Sequence, residues 1–212
     1  MNKTEVKIWF EHSILFMLLF NFSIFFWDFY AGTETQGFGV LEPYNGIGMF
    51  YVYVISFLSS LIVILGILRS NQFGMGLLIW APYAVAGLFV EAFFELILNP
   101  VLISYWSVIG WCVFGLITGF SADISFKLLN SRTKLDIKII CGIVGVIMSL
   151  TYFLTTLIAI GFFYKSGWGG GSFTDPGTFL GVAYFMLPWM IIHAFFGGFT
   201  AYAIHFFTNK TS

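Results

Sequence analysis

Apolar runs follow one another along this chain, each closed by a short polar stretch. A helix crossing a bilayer needs about 20 apolar residues, with a range of about 17–25. Six segments meet that length: 13–30, 49–68, 74–98, 103–126, 139–163 and 179–207. Only Asn99-Pro100 divides the third from the fourth, where proline interrupts helical hydrogen bonding. The first run exceeds the apolar core of a signal peptide and no small-residue cleavage pattern follows it, so it reads as a retained helix. The intervening polar stretches are too short to fold as separate domains. The pattern therefore predicts an all-α membrane protein, a single domain over 1–212 built as a bundle of six transmembrane helices.

Lys and Arg in the short loops orient such a bundle, because basic residues stay on the cytoplasmic side. With the N-terminus inside, Lys3, Lys7, Arg69, Lys127, Arg132, Lys134, Lys138 and Lys210 are all cytoplasmic, and only Lys165 is outside. An odd number of spans would spoil that division, so helix count and charge agree on both termini inside. Two longer loops then face out, 32–48 and 164–177. The second reads KSGWGGGSFTDPG from Lys165 to Gly177. Three glycines beside Trp168 make a hinged segment with one large aromatic anchor, the composition expected of a lid; an ordinary connecting loop is the plainer alternative.

Composition changes the picture by exclusion. Of 212 residues, 59% are hydrophobic and 9% charged, against roughly 25% charged in soluble domains. The net charge of −1 supplies no basic stripe for nucleic acid. Cys112 and Cys141 both fall inside apolar segments, too far apart for a metal pair, and read as buried thiols. The chain has no H-E-x-x-H, G-x-S-x-G or nucleotide-binding loop, so neither enzymatic chemistry nor self-powered transport is expected, and no cofactor or metal is called for.

The candidate chemistry lies in polar groups within the apolar spans, where ionisable residues are costly and face the bundle interior. Glu91 and Glu95 stand four apart on the third span, with Asn99 one turn on, so all three share a helix face. Counted from Gly74 at 1.5 Å per residue, Glu91 lies about 25 Å along the axis, in the outer half of the membrane. Two adjacent carboxylates repel unless one is protonated or both meet a cation. A cationic ligand, an internally hydrogen-bonded protonated pair and a proton relay are the three readings of this row.

Aromatics gather at the same depth: Trp27 and Tyr30, Tyr105 and Trp106, Tyr184 and Trp189. They suit an interfacial belt, and with the carboxylates they also suit a flat cation. Asp28 adds a third acid to this zone. His193 follows Pro188 in the sixth span and reads as an interhelical donor or a ligand contact. Asp123 stands four residues before Lys127, an ion-pair spacing, and reads as structural or as a partner contact; His205 reads as interfacial. Small residues at Gly115-x-x-x-Gly119 with Ala122, Gly142-x-x-Gly145, Ala194-x-x-x-Gly198 and Gly197-x-x-x-Ala201 predict close helix crossings.

The stretch GLITGFSADISF, Gly115 to Phe126, resembles the G-L-x-Q-G-x-G-A-E-x-x-F segment of YkoE-type S components, the substrate-binding membrane subunits of energy-coupling factor (ECF) transporters. AVAGLFVEAFFELILN, Ala84 to Asn99, is similar to that family's small-residue helix with spaced glutamates. Thr118, Ser121 and Asp123 stand where the family has Gln, Gly and Glu. The first span is rich in Phe where many S components carry A-x-x-x-A. The resemblance implies capture of a vitamin-like molecule, thiamine or its pyrimidine precursor, with uptake driven by a transmembrane coupling subunit and two cytoplasmic ATPases. The ligand set expected from these lines together is Glu91, Glu95, Asn99, Asp28, Trp106, Trp168, Tyr184, Trp189 and His193. A structural or assembly subunit of a larger membrane complex, an autonomous channel or carrier, and a membrane-embedded enzyme are the competing functions.

Overall fold

In a computed structural model of the chain, residues 1–33, 50–85, 105–163 and 176–210 are described, without the side chains at 20–33, 50–53, 105–112, 114 and most of those between 156 and 185. Every regular element among them is helical: α1 (Lys3–Thr33), α2, which is π-helical over Phe50–Leu58 and α-helical over Ser59–Ser70, α3 (Met75–Val85), α4 (Tyr105–Arg132), α5 (Ile137–Phe163) and α6 (Pro176–Lys210). Where they are described, the residues of each predicted apolar segment lie on one of these helices, apart from the turn at Gly74; of the third segment this covers 75–85 only. Two stretches among the described residues, Ile137–Thr155 and Met186–Lys210, are long and apolar enough to cross a membrane.

α1, α2, α4, α5 and α6 run past their apolar segments at one end or both, because those ends are built from good helix formers and capping residues. α1 starts at Lys3, well before 13, on a capping box. The Asn2 side chain accepts the Glu5 N–H at 2.9 Å, and the Glu5 carboxylate accepts the Asn2 N–H at 2.7 Å. Asp136 opens α5 by accepting the Lys138 N–H at 3.1 Å and pairs with the Lys138 ammonium at 3.1 Å. The backbone N–H of Lys138 first, and then its side chain, hold the Asp136 carboxyl below the usual carboxylate range. α2 ends at Asn71, whose left-handed backbone (φ 51°) lets its N–H close on the Ile67 carbonyl at 2.9 Å. Gly74, at φ 95°, completes the turn into α3.

Between helices in lipid no hydrophobic force acts, so close packing and hydrogen bonds must join them. The small residues do this. A side chain at Gly198 would run into the Cys141 carbonyl of α5, one at Gly145 into the Ala194 carbonyl of α6, and one at Gly197 into the Phe57 carbonyl of α2. Buried hydroxyls join α2 to α5: Ser56 to Ser149 at 2.8 Å, and Ser60 to the Gly145 carbonyl at 3.3 Å. Ile62, Val63 and Ile64 of α2 and Val144 and Met148 of α5 fill the centre and are fully buried.

α3 contains Pro82, which has no N–H to give the Leu78 carbonyl four residues back. The Trp9 indole of α1 supplies the missing donor, at 2.8 Å from that carbonyl. Trp9→Phe leaves the carbonyl without its donor and is expected to cost about 1–3 kcal/mol, read as a lower unfolding midpoint of the detergent-solubilised protein. An unchanged midpoint would show that the indole bond carries no stability.

Candidate functional site

α3 and α4 meet along two facing rows of residues spaced by four. On α3 the row is Gly76, Trp80 and Ala84; on α4, read in the opposite direction, it is Asp123, Gly119 and Gly115. A Cβ on Gly76 would come within 2.7 Å of the Gly119 carbonyl, and one on Gly115 would touch Trp80 at 3.3 Å and Ala84 at 3.8 Å. The backbones therefore approach as closely as glycine allows.

Asp123 closes the lower end of this seam. It is 2% exposed, and its carboxylate accepts the N–H of Gly76 at 3.0 Å and of Leu77 at 2.9 Å. These are amides of the first turn of α3, which has no intrahelical acceptors for them. A carboxylate suits that position because it takes two donors and meets the positive end of the helix dipole. The expected pairing with Lys127 is corrected: among the described ion pairs none joins Asp123 to Lys127. The Lys127 ammonium instead lies 4.8 Å from the centre of the Phe73 ring. The orphan amides of α3 outcompete a lysine that can reach solvent.

Within the seam, Trp80 also sits at the centre of an aromatic cluster drawn from three helices. Its ring centroid is 4.6 Å from Phe16 of α1, 5.8 Å from Tyr83 of α3 and 5.5 Å from Tyr152 of α5, and Phe16 lies edge-on to Tyr83 at 6.0 Å. Trp80 is fully buried and Tyr152 nearly so. Sequence reasoning missed this cluster, although Trp80 stands eleven residues before Glu91, a sequence spacing close to three helical periods. That spacing is the signal that could have found it.

The expected ligand residues divide by what is described. Glu91, Glu95, Asn99 and Trp168 lie outside the described residues, as do the side chains of Asp28 on α1 and Trp106 on α4. Tyr184, Trp189 and His193 are all on α6. Tyr184 is 76% exposed; Trp189 is 38% exposed, on a side of the helix shared with Ile192 and Phe196. Trp189 and His193 are brought together, with ring centres 6.3 Å apart. His193 Nδ1 donates to the Trp189 carbonyl of its own helix at 2.8 Å. α6 continues unbroken through Pro188.

No family model, curated protein or solved structure matches this chain. Its own residues therefore carry the functional reading. Among the described residues, no group of three or more His, Cys, Asp or Glu gathers to hold a metal. What the described part offers chemically is a buried aromatic cluster built around Trp80 of a tightly packed, carboxylate-capped seam.

Proposed function

We propose that this protein is the solute-binding membrane subunit of an ECF-type importer. It takes a flat, cationic, vitamin-like molecule, thiamine or its pyrimidine precursor, from the outer face. One observation carries the reading: the α3 face formed by Gly76, Trp80 and Ala84 is turned into the bundle. Continued at the helical period, the arc of these three residues takes in Glu91, and Glu95 falls at its edge. Carboxylates on an interior face, placed above an aromatic cluster, suit a ring that carries positive charge.

The packing below that face favours a binding subunit over an autonomous carrier. Gly76 against Gly119, Trp9 on Leu78, and Asp123 on two α3 amides leave the helices of this half in backbone contact. A solute held above them needs an outside agent to move it onward, which is the part a coupling subunit with cytoplasmic ATPases would play. Six spans with both termini inside give the orientation this requires.

Orientation and ligand are separately testable. Single cysteines placed at 36–46 and 166–174 are expected to react with an impermeant thiol reagent added outside intact cells, and those at 128–136 are not. Strong outside labelling at 130 would reverse the orientation. For the ligand, thermal shift and calorimetry of the purified protein against thiamine, its aminopyrimidine precursor and a neutral vitamin are expected to show binding of the first two only. Indifference to all three would remove the transport reading.

A further inference from the structure

The face of α4 turned away from α3 is apolar along its length and cationic at its end. Val113, Ile117, Phe120, Ile124 and Leu128 recur at intervals of three and four, each 37–44% exposed, and form one stripe. Lys127 and Arg132 stand on either side of its end, seven residues after Phe120 and four after Leu128, and Lys134 follows in the turn to α5. All three are exposed, and none belongs to a described ion pair. The one acid between 127 and 138 is Asp136, which Lys138 holds at 3.1 Å. Phe73, from the turn before α3, joins the two parts. Its ring is 55% exposed, meets Phe120 of the stripe edge to face at 6.0 Å and has the Lys127 ammonium 4.8 Å from its centre.

We propose that this surface binds an anionic glycerophospholipid, with the phosphate against Lys127 and Arg132 and the acyl chains along the α4 stripe. Charge and shape select that occupant together. A free phosphate would engage the cations and leave the stripe bare. A zwitterionic lipid would cover the stripe but bring its own cation to the basic end. A soluble acidic protein would meet the cations but not a stripe that runs on into the hydrocarbon layer. An anionic lipid matches both, because its charge sits at the surface and its chains lie below. The Phe73 ring holds Lys127 beside the stripe, so that less side-chain freedom is lost when the phosphate is met. The proposal goes beyond the functional reading and needs neither its ligand nor its orientation.

The test uses the full-length protein, with Cys112→Ala and Cys141→Ala as background, in vesicles of phosphatidylcholine and phosphatidylglycerol. A bimane dye on Ile124→Cys reports from the stripe, and brominated acyl chains quench it on contact. Placing the bromine on one lipid or the other, at equal mole fraction, gives their relative affinity at that position. Phosphatidylglycerol is expected to be preferred about fivefold or more, the scale of one basic residue at an anionic surface. The same dye on Leu154→Cys, an exposed position of α5 sixteen residues from Lys138, is expected to show no preference. Lys127→Gln and Arg132→Gln should each lower the preference at Ile124 several-fold, with quenching by brominated phosphatidylcholine unchanged. Phe73→Leu, which removes the ring under Lys127, should lower it about twofold. Salt at about 1 M, where the screening length is about 3 Å, is expected to abolish the preference in the background protein, and so decides even where a variant fails to fold. Equal quenching by the two lipids at Ile124 would overturn the proposal and leave the basic turn to an acidic protein partner. An equal preference at Leu154 would show enrichment around the whole protein instead of a site, and an unchanged preference in both Gln variants would overturn the role of Lys127 and Arg132.

Discussion

Glu91→Gln is expected to weaken thiamine binding by about 10- to 100-fold while the protein stays folded. A charge-assisted contact is worth about 1.5–3 kcal/mol, and every 1.4 kcal/mol is about tenfold in affinity. Glutamine keeps the size and loses the charge, so the weakening reports attraction to the cation. Glu95→Gln is expected to act in the same direction with a smaller effect, because a continued helical period would put Glu95 at the edge of that arc and one turn nearer the outer surface, where screening is stronger. Titrating wild type and both variants with thiamine, the aminopyrimidine precursor and a neutral vitamin separates the readings. If the acids are a protonated, internally bonded pair, stability changes and affinity does not. Equal affinity for all three ligands in wild type and variants would sink the cation site.

The second large effect concerns the helix crossings. Gly198→Ala places a methyl group against the Cys141 carbonyl and its carbon, with Ile64 at 3.0 Å behind. Backbone cannot rotate aside as a side chain can, so α5 and α6 must separate. Overpacking of this kind costs about 1–3 kcal/mol or more, and the looser packing left along the rest of the crossing adds to it. Gly142→Ala is the matched comparison, because its new methyl meets the Phe195 ring, which can swing away. The unfolding midpoint in detergent is expected to fall much further for Gly198→Ala than for Gly142→Ala. Equal shifts would mean that the α5–α6 approach is looser than the geometry requires.

These two variants also mark where the sequence is legible. Small residues at intervals of three and four point to the crossings, because only Gly, Ala and Ser permit backbones to touch. The α4 pattern Gly115-x-x-x-Gly119 indeed meets α3, and Ala194-x-x-x-Gly198 meets α5. Length and apolarity likewise locate the helices. Periodicity is silent on their ends, which depend on single capping side chains such as Asn2 and Asp136.

Other residues escape a local reading for one shared reason: their partners are distant in the chain. Local spacing pairs Asp123 with Lys127, whereas its donors stand on the helix before its own. Nothing near Pro82 announces how its missing donor is replaced, because the indole that does so comes from Trp9. Tyr184 and Trp189 are picked out by depth along a helix, which says nothing of which side faces the bundle, and both have large exposure.

From the sequence alone follow the helical architecture and the crossings made by small residues, because hydropathy and helical period act locally, residue by residue. The aromatic cluster around Trp80, the carboxylate cap on α3 and the side of α6 that carries His193 were decided only by the tertiary structure. Each of these is a choice among partners far apart in the chain, and only the packing of whole helices makes it.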